Sequence, residues 1–380
     1  MKKENIVMTN EQLLEKIHLV VEKLMNLGGY DYDKDKTVSS TDTKKGLIQR
    51  DFGIEEWDWP QGVGLYGLYK LQEFYGDGRY LPFFEKWYSG HRKKGLPSKN
   101  INTTAPFLPL SFLYGSLGNP EEFYDLCVQR ADWLINDLPK TQDNGFQHVT
   151  SAIGNRDGVS LNDGQIWVDT LFMSVLFLNN MGYISKNAIW KDEALHQFLV
   201  HIKYLFDKQT GLFHHGFSFE RMDNFGGIFW CRGNSWFTYG IMEYLDTCGD
   251  DLNEGVRAFL TDTFKSQAAT LLRLQSVSGL WHTVLTDASS YDEVSGSAAI
   301  AAGLLRGVKS GILDSTYKAA ADRAIDAICA NITEDGTVIN VSAGTGIGMN
   351  SDHYKNIALM PMAYGQALTL TALYEALQKE

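Results

Sequence analysis

The chain has 380 residues, longer than most compact domains, and its length suits either two ordinary domains or one closed ring of helices. Hydrophobic residues make up 44% and charged residues 21%, an ordinary globular balance, while the formal charge of −12 comes without any Lys/Arg block. That pattern excludes a polyanion-binding face, so no nucleic-acid partner is expected; a small anionic substrate would need only one or two local cations.

Aromatics reach 12%, with nine Trp and eighteen Tyr. Such richness suits a filled core or a carbohydrate site, and composition leaves both open. Cys127, Cys231, Cys248 and Cys329 lie far apart with no CxxC pair, which predicts reduced thiols and neither a disulfide framework nor a metal site. The N-terminus lacks the apolar stretch of a signal peptide, and no run of about 18 apolar residues follows. A cytoplasmic protein with no membrane partner is therefore expected. The Asn102-Thr-Thr, Asn331-Ile-Thr and Asn340-Val-Ser triplets match the glycosylation pattern only formally.

Helical periodicity runs through the chain and predicts about twelve helices. In order they fall near 10–27, 61–76, 78–93, 104–118, 119–138, 165–182, 187–207, 233–249, 254–276, 292–310, 315–331 and 357–379. Odd-numbered helices such as Glu11-Gln-Leu-Leu-Glu-Lys-Ile-His carry a charged face and an apolar stripe, the pattern of an outer helix. Even-numbered ones such as Gly62-Val-Gly-Leu-Tyr-Gly and Ser295-Gly-Ser-Ala-Ala-Ile-Ala-Ala-Gly are poor in charge and rich in small residues, as buried helices are. After each outer helix comes a Gly turn with a short extended stretch: Gly53, Gly95, Gly145, Gly211, Gly279 and Gly336. Their spacing is too irregular for identical stacked units. Six hairpins closing into an (α/α)6 barrel, one domain over residues 1–380, bury every inner helix; an open helical solenoid is the rival.

In such a ring the unusual residues collect where each Gly-turn stretch enters an inner helix. Trp57-Asp58-Trp59, Asn102-Thr103-Thr104, Trp167 and Asp169, Trp230-Cys-Arg232, Tyr291-Asp-Glu293 and Asp352-His353-Tyr354 stand at these joints. Rings beside acids, His and Arg at one mouth suit a sugar pocket. Asp169 is the leading carboxylate, placed one turn inside an otherwise apolar helix, where burial raises its pKa and the helix N-terminus lowers it. The alternative is an Asp that merely bonds a neighbouring helix.

His148, His214, His215 and His282 lie on the extended stretches, without metal-ligand spacing. Strand alternation sends His214 and His215 to opposite faces, so at most one enters the pocket. Trp230 and Arg232, two apart in an extended segment, share a face. Arg232 is the candidate to hold a substrate carboxylate, or else it pairs with an inner-helix acid. Asp58, Glu293 and Asp352 are further acids at the same mouth, as an inverting hydrolase would need, although Glu293 also suits a helix cap.

These strings together are specific. Gln165-Ile-Trp-Val-Asp-Thr-Leu-Phe-Met, Trp230-Cys-Arg-Gly-Asn-Ser-Trp, Gly279-Leu-Trp, Glu293-Val-Ser-Gly-Ser and Pro361-Met-Ala-Tyr-Gly-Gln resemble the unsaturated rhamnogalacturonyl hydrolases of glycoside hydrolase family 105, in one order from about Trp57 to the end. The resemblance implies an (α/α)6 barrel without metal or cofactor, often cytoplasmic, acting on small oligosaccharides that end in an unsaturated uronic acid. One acid protonates C4 of the C4=C5 bond, water adds at C5, and the hemiketal opens to expel the attached sugar.

Carried over by motif, the resemblance makes Asp169 the general acid and base, with His148 and His215 lining the site. It puts Trp230 and Arg232 against the uronate and an aromatic at Trp59. Two departures stand out. The stretch from Thr150 to Asp163 is longer than in some members. Related glucuronyl hydrolases carry a second Asp near the start of the fourth helix, where this chain has Asn100-Ile-Asn-Thr-Thr and leaves Asn102 or Thr103 for a binding role. The rivals are a sugar epimerase or isomerase using two His, an inverting glycosidase using Asp169 and Asp58, and a non-catalytic helical scaffold.

Overall fold

The structure is a computed structural model that describes residues 8–28, 53–151 and 159–377. Among the described residues the six outer helices are α1 (Asn10–Met25), α3 (Leu81–Lys94), α5 (Pro120–Asn136), α7 (Ala188–Leu205), α9 (Glu254–Leu274) and α11 (Ser315–Ala330). Six inner helices alternate with them: α2 (Trp59–Tyr75), α4 (Phe107–Leu113), α6 (Leu176–Ile184), α8 (Cys231–Cys248), α10 (Val294–Lys309) and α12 (Ala363–Ala376).

Outer helices bury one stripe. In α1 it is Leu13, Ile17, Val20, Val21 and Leu24, and a capping box between Thr9 and Gln12 starts the helix. Inner helices are buried all round, as every residue of Pro60–Gln72 in α2 is. Small residues set their approach: a Cβ on Gly67 would come within 2.7 Å of Ala367 in α12. The inner helices pack in sequence from α2 to α12, and α12 packs back on α2. An open solenoid would separate those two. The expected (α/α)6 barrel is what forms.

The Gly turns show how the ring is fastened. Gly336 has φ +80° and no room for a side chain, since a Cβ would lie 2.1 Å from the Leu19 carbonyl oxygen of α1. Gly211 backs onto α9 in the same way and Gly279 onto α11, so these turns lean on the next outer helix and the last leans on the first. Side-chain amides satisfy buried peptide groups beside several turns. Asn234 accepts from Phe213 N at 2.8 Å and donates to its oxygen at 2.9 Å, while Gln366 accepts from Val338 N at 2.6 Å and donates to Gly336 O at 2.8 Å.

Three expected helices differ from the sequence reading. The helix expected over 104–118 is split into a 3-10 turn at Asn102–Thr104, α4, and a second 3-10 turn at Tyr114–Ser116, because Pro106 and Pro109 lack the N–H donors a continuous helix uses. The one expected over 165–182 begins as an extended strand, Gln165–Trp167, and passes through a π-helical turn, Leu171–Val175, before α6. The last, expected over 357–379, starts only at Ala363, since Pro361 keeps the preceding residue out of the helical region. Positions 378–379 of that expectation lie outside the described residues, as do residues 1–7 and the 152–158 part of the long loop. A short helix, Ser351–Lys355, was not anticipated.

The C-terminal ends of the inner helices surround a cavity of about 650 Å³. There Glu243 of α8 is buried with Tyr66, Arg306 and Lys70, the last at 3.7 Å, and Glu375 of α12 takes Lys309 at 3.0 Å. Burial pushes the Glu243 carboxyl up, but Lys70 and Arg306 overcome it and bring the pKa to about 2. A folded-state pKa below the ordinary 4.5 adds stability that is present above that pH and lost as pH falls toward 2. Glu243→Gln is therefore expected to cost roughly 1.5–3 kcal/mol at neutral pH, because it removes the buried acid that Lys70 and Arg306 share and leaves them Glu73, Asp246 and Glu375. Denaturant unfolding checks this, and a loss under 1 kcal/mol would contradict it.

Candidate active site

A two-stranded pairing builds the other mouth, at the N-terminal ends of the inner helices. Gln165–Trp167 runs antiparallel to Gly216–Ser218, with Trp167 opposite Gly216. One step further, Val168 N donates to His215 O at 2.9 Å. This register brings Asp169 and His215 together. The strand also corrects one expectation: Asp169 stands at the strand-to-helix junction rather than one turn inside a helix.

The carboxylate makes two contacts. Its Oδ1 accepts from Trp236 Nε1 at 3.1 Å, and its Oδ2 lies 3.3 Å from His215 Nε2, with neither of those two atoms hydrogen-bonded elsewhere. The second contact is longer than a tight N–H···O bond, as is common for catalytic pairs before substrate arrives. His215 Nδ1 is 2.9 Å from the Tyr354 hydroxyl, and the ring lies 4.3 Å from that of Trp230. His148 lies flat on Trp167 at 4.4 Å, its Nδ1 2.9 Å from Thr170 Oγ1.

Burial and charge compete here. Burial alone would push the Asp169 carboxyl up, but the His215 contact, with His148 and Arg232 farther off, holds it below its ordinary value. Burial depresses both imidazoles, His148 to about 3, and Asp169 only partly offsets it. At neutral pH the site therefore holds one anion between neutral imidazoles.

A cavity of about 60 Å³ opens beside Asp169, lined also by Trp59, Asn102, His148, Trp167, Trp230 and Thr345. Size alone would favour the larger cavity at the opposite mouth, but there Lys70, Arg306 and Lys309 are paired with neighbouring acids. Chemistry selects the smaller one. Four of the six joints send expected residues into it: Trp59, Asn102, His148 with Asp169, and Trp230. Trp59 stacks on Tyr364 at 4.7 Å. Thr103 does not line it; its hydroxyl accepts from Asn100 N at 3.0 Å and ties the turn together.

Arg232 departs from the expected geometry. It lies inside α8 rather than in an extended segment, so its contact with Trp230 comes from the guanidinium sitting 4.6 Å from the indole centre. Its fork is filled by the chain: Nη1 donates to Ser342 O at 2.9 Å, and Nη2 to Ala343 O at 2.9 Å and Thr345 Oγ1 at 3.0 Å. Glu293 is 3.6 Å away and caps α10 through Ser295 N and Gly296 N. Arg232 thus reaches the cavity through Thr345.

Asp58 caps α2 at Trp59 N, and Asp352 is exposed on the short helix, so neither lines the cavity beside Asp169. His214 stacks on Phe229 at 4.6 Å, on the face away from His215, and His282 sits 3.0 Å from Asp292. The sequence reading did not single out Trp236, Thr345 or the hydroxyl of Tyr354. Trp236 is signalled only by its place one turn after Arg232, and Thr345 by the Gly-rich run around it. Among the described residues no group of three His, Cys, Asp or Glu is arranged to hold a metal ion.

The closed helical toroid carries its carboxylate at the N-terminal mouth, and known proteins supply the family. The model for Glycosyl Hydrolase Family 88 matches residues 34–379. The unsaturated rhamnogalacturonyl hydrolase YesR of Bacillus subtilis (strain 168) is 30% identical over 349 residues, covering 91% of this chain and 96% of that protein. A solved structure from Salmonella enterica, described as a possible member of the GH105 family, matches with TM-score 0.88 and 35% identity over 98% of this chain and 96% of its own. Its counterpart from Klebsiella pneumoniae gives 0.87 and 34%, over 99% and 95%. The chain belongs to glycosyl hydrolase family 88, on the side of it that resembles family 105, and is a glycoside hydrolase.

The depressed imidazole is directly measurable. His148, with a pKa near 3 against an ordinary 6.5, should keep neutral-ring ¹⁵N shifts down to about pH 4 in histidine-labelled protein. Because the unfolded chain takes up a proton that the folded site refuses, this group removes stability as pH falls from 6.5 toward 3. A titration midpoint near the ordinary value would contradict the buried placement.

Proposed function

We propose that this protein hydrates the C4=C5 bond of a terminal unsaturated uronic acid, of the galacturonyl-rhamnose type, and so releases the attached sugar. The observation that carries the reading is Asp169, the carboxylate among the described residues lining the cavity, with Trp236 bonded to one oxygen, His215 Nε2 3.3 Å from the other, and 15% of its side chain exposed. Ordinary inverting hydrolysis needs two carboxylates across the scissile bond. Hydration of an enol ether needs one group that gives a proton and then takes one back.

The steps follow from that geometry. A uronate entering the cavity brings a second negative charge near Asp169, which favours protonation of its carboxyl. Asp169 then gives the proton to C4, and the cation at C5 is stabilised by the ring oxygen. Water adds to C5 while the carboxylate takes its proton. The resulting hemiketal opens as the bond from C5 to the ring oxygen breaks, leaving a C5 ketone and a C1 hemiacetal that collapses to an aldehyde and the free sugar. His215 supports the carboxylate between the two transfers.

The walls suit such a ring. Trp59, Trp167 and Trp230 offer apolar faces, and Asn102, His148 and Thr345 offer polar groups for hydroxyls and the carboxylate. Arg232 acts from behind Thr345, orienting its hydroxyl and supplying positive charge to the uronate side. In this reading residues 1–380 form one catalytic domain that works without metal or cofactor. A cytoplasmic setting fits the four free, buried cysteines. Among the described residues no helix is long and apolar enough to cross a membrane.

Incubation with an unsaturated galacturonyl-rhamnose disaccharide should abolish its enoate ultraviolet absorbance, and in D₂O one deuterium should appear at C4. Asp169→Asn should lower the rate by at least about a thousandfold while leaving substrate binding largely intact. Cleavage of the saturated disaccharide instead, or a near-wild-type rate in Asp169→Asn, would overturn the reading.

A further inference from the structure

We propose that Tyr354 is a positioning residue for this reaction, its hydroxyl holding His215 in the tautomer that points an N–H at Asp169. The inference rests on the reading of Asp169 as acid and base, and it concerns a residue outside the cavity wall. Tyr354 sits on the short helix Ser351–Lys355, fully buried, behind His215 as seen from Asp169.

Proton counting fixes the direction. Gly348 N donates to the Tyr354 hydroxyl oxygen at 3.2 Å, so that oxygen is engaged as an acceptor and its single proton is free for His215 Nδ1, 2.9 Å away. A nitrogen that accepts has no proton of its own. The neutral ring then carries its hydrogen on Nε2, which faces Asp169 Oδ2 at 3.3 Å. The other tautomer would set two lone pairs against each other at that contact. Burial raises the Tyr354 pKa above its ordinary value, so the hydroxyl keeps its proton throughout the working range.

The phenol is held from outside the site. Tyr291 donates to the Tyr354 carbonyl at 3.2 Å, Asn350 caps the short helix by accepting from His353 N at 3.1 Å, and Lys355 pairs with Asp287. His353 Nε2 also lies 2.9 Å from Gly346 O, in the segment that lines the cavity. The charged and titratable groups that act on Asp169 are His215, His148 and Arg232; those that act on His215 are Asp169, Arg232 and His353. Among these described neighbours, Tyr354 is the one that hydrogen-bonds Nδ1.

Two measurements on the full chain test this. In substrate-free, ¹⁵N-histidine-labelled wild-type protein, His215 should show an unprotonated Nδ1 and a protonated Nε2, and Tyr354→Phe should convert this to a mixture of tautomers. Tyr354→Phe should also lower kcat by roughly tenfold, one hydrogen bond's worth, with KM changed less than threefold. The limb of the kcat–pH profile that reports Asp169 should move to higher pH, because the carboxylate loses its donor. A wild-type His215 protonated on Nδ1 would overturn the proposal even if the variant failed to fold. An unchanged rate and pH limb in a folded Tyr354→Phe protein would overturn it equally. Should Asp169→Asn stay active while the tautomer still responds to Tyr354→Phe, the catalytic reading fails and the tautomer assignment stands.

Discussion

The facing pair Asp169 and His215 depends on a three-residue strand pairing, and the chemistry proposed for the site depends on that pair. Trp167 opposite Gly216 puts Val168 beside His215 and brings in Asp169 one residue later, and a slip of one position would send every side chain to the other face. Gly216 is what lets the strands close, since a Cβ there would lie 2.9 Å from Ile166 O and 2.4 Å from the Ile347 side chain. The π-helical turn at Leu171–Val175 follows at once, adding a residue to the helix where the chain must swing from strand direction to the barrel axis. Local geometry thus places an ionised carboxylate at the start of an inner helix, where free N–H groups also favour negative charge.

The toroid divides its labour between two mouths. At the C-terminal ends of the inner helices, Glu243 and Glu375 are matched by Lys70, Arg306 and Lys309, and the network joins α2, α8, α10 and α12. At the N-terminal ends, Asp169 Oδ2, His215 Nε2 and the indole nitrogen of Trp230 have no hydrogen-bond partner within the protein. Unsatisfied buried groups cost stability and are tolerated where a ligand completes them. Arg232 links the two regimes: buried and internally bonded, it fastens the 342–345 segment while its field still reaches Asp169.

Much of this was legible in the sequence because the barrel repeats its own logic. Charge-poor, Gly-rich helices alternating with amphipathic ones announce an inner and an outer layer, and the six Gly turns mark the joints. Asp169 and Trp230 could be singled out because acids and rings are conspicuous at helix entrances, and Trp59, Asn102 and His148 because of the resemblance to family 105. What escaped depends on through-space pairing. That Gln165–Trp167 is a strand is visible only once Gly216–Ser218 lies beside it, for the run Ile166-Trp-Val-Asp-Thr-Leu-Phe-Met reads as helix by itself. Whether Arg232 binds substrate or the chain's own carbonyls is decided by residues 110 and more positions away. Trp236 and Tyr354 look like core aromatics until their polar ends are seen.

The proposed reaction requires Asp169, an anion before substrate binds, to take up a proton as the uronate enters. Calorimetry of a saturated galacturonyl-rhamnose binding near pH 7, in buffers of different ionisation enthalpy, counts that proton directly. Uptake approaching one proton is expected for the wild-type protein and close to none for Asp169→Asn. Binding with equal, near-zero proton exchange in both proteins would contradict it.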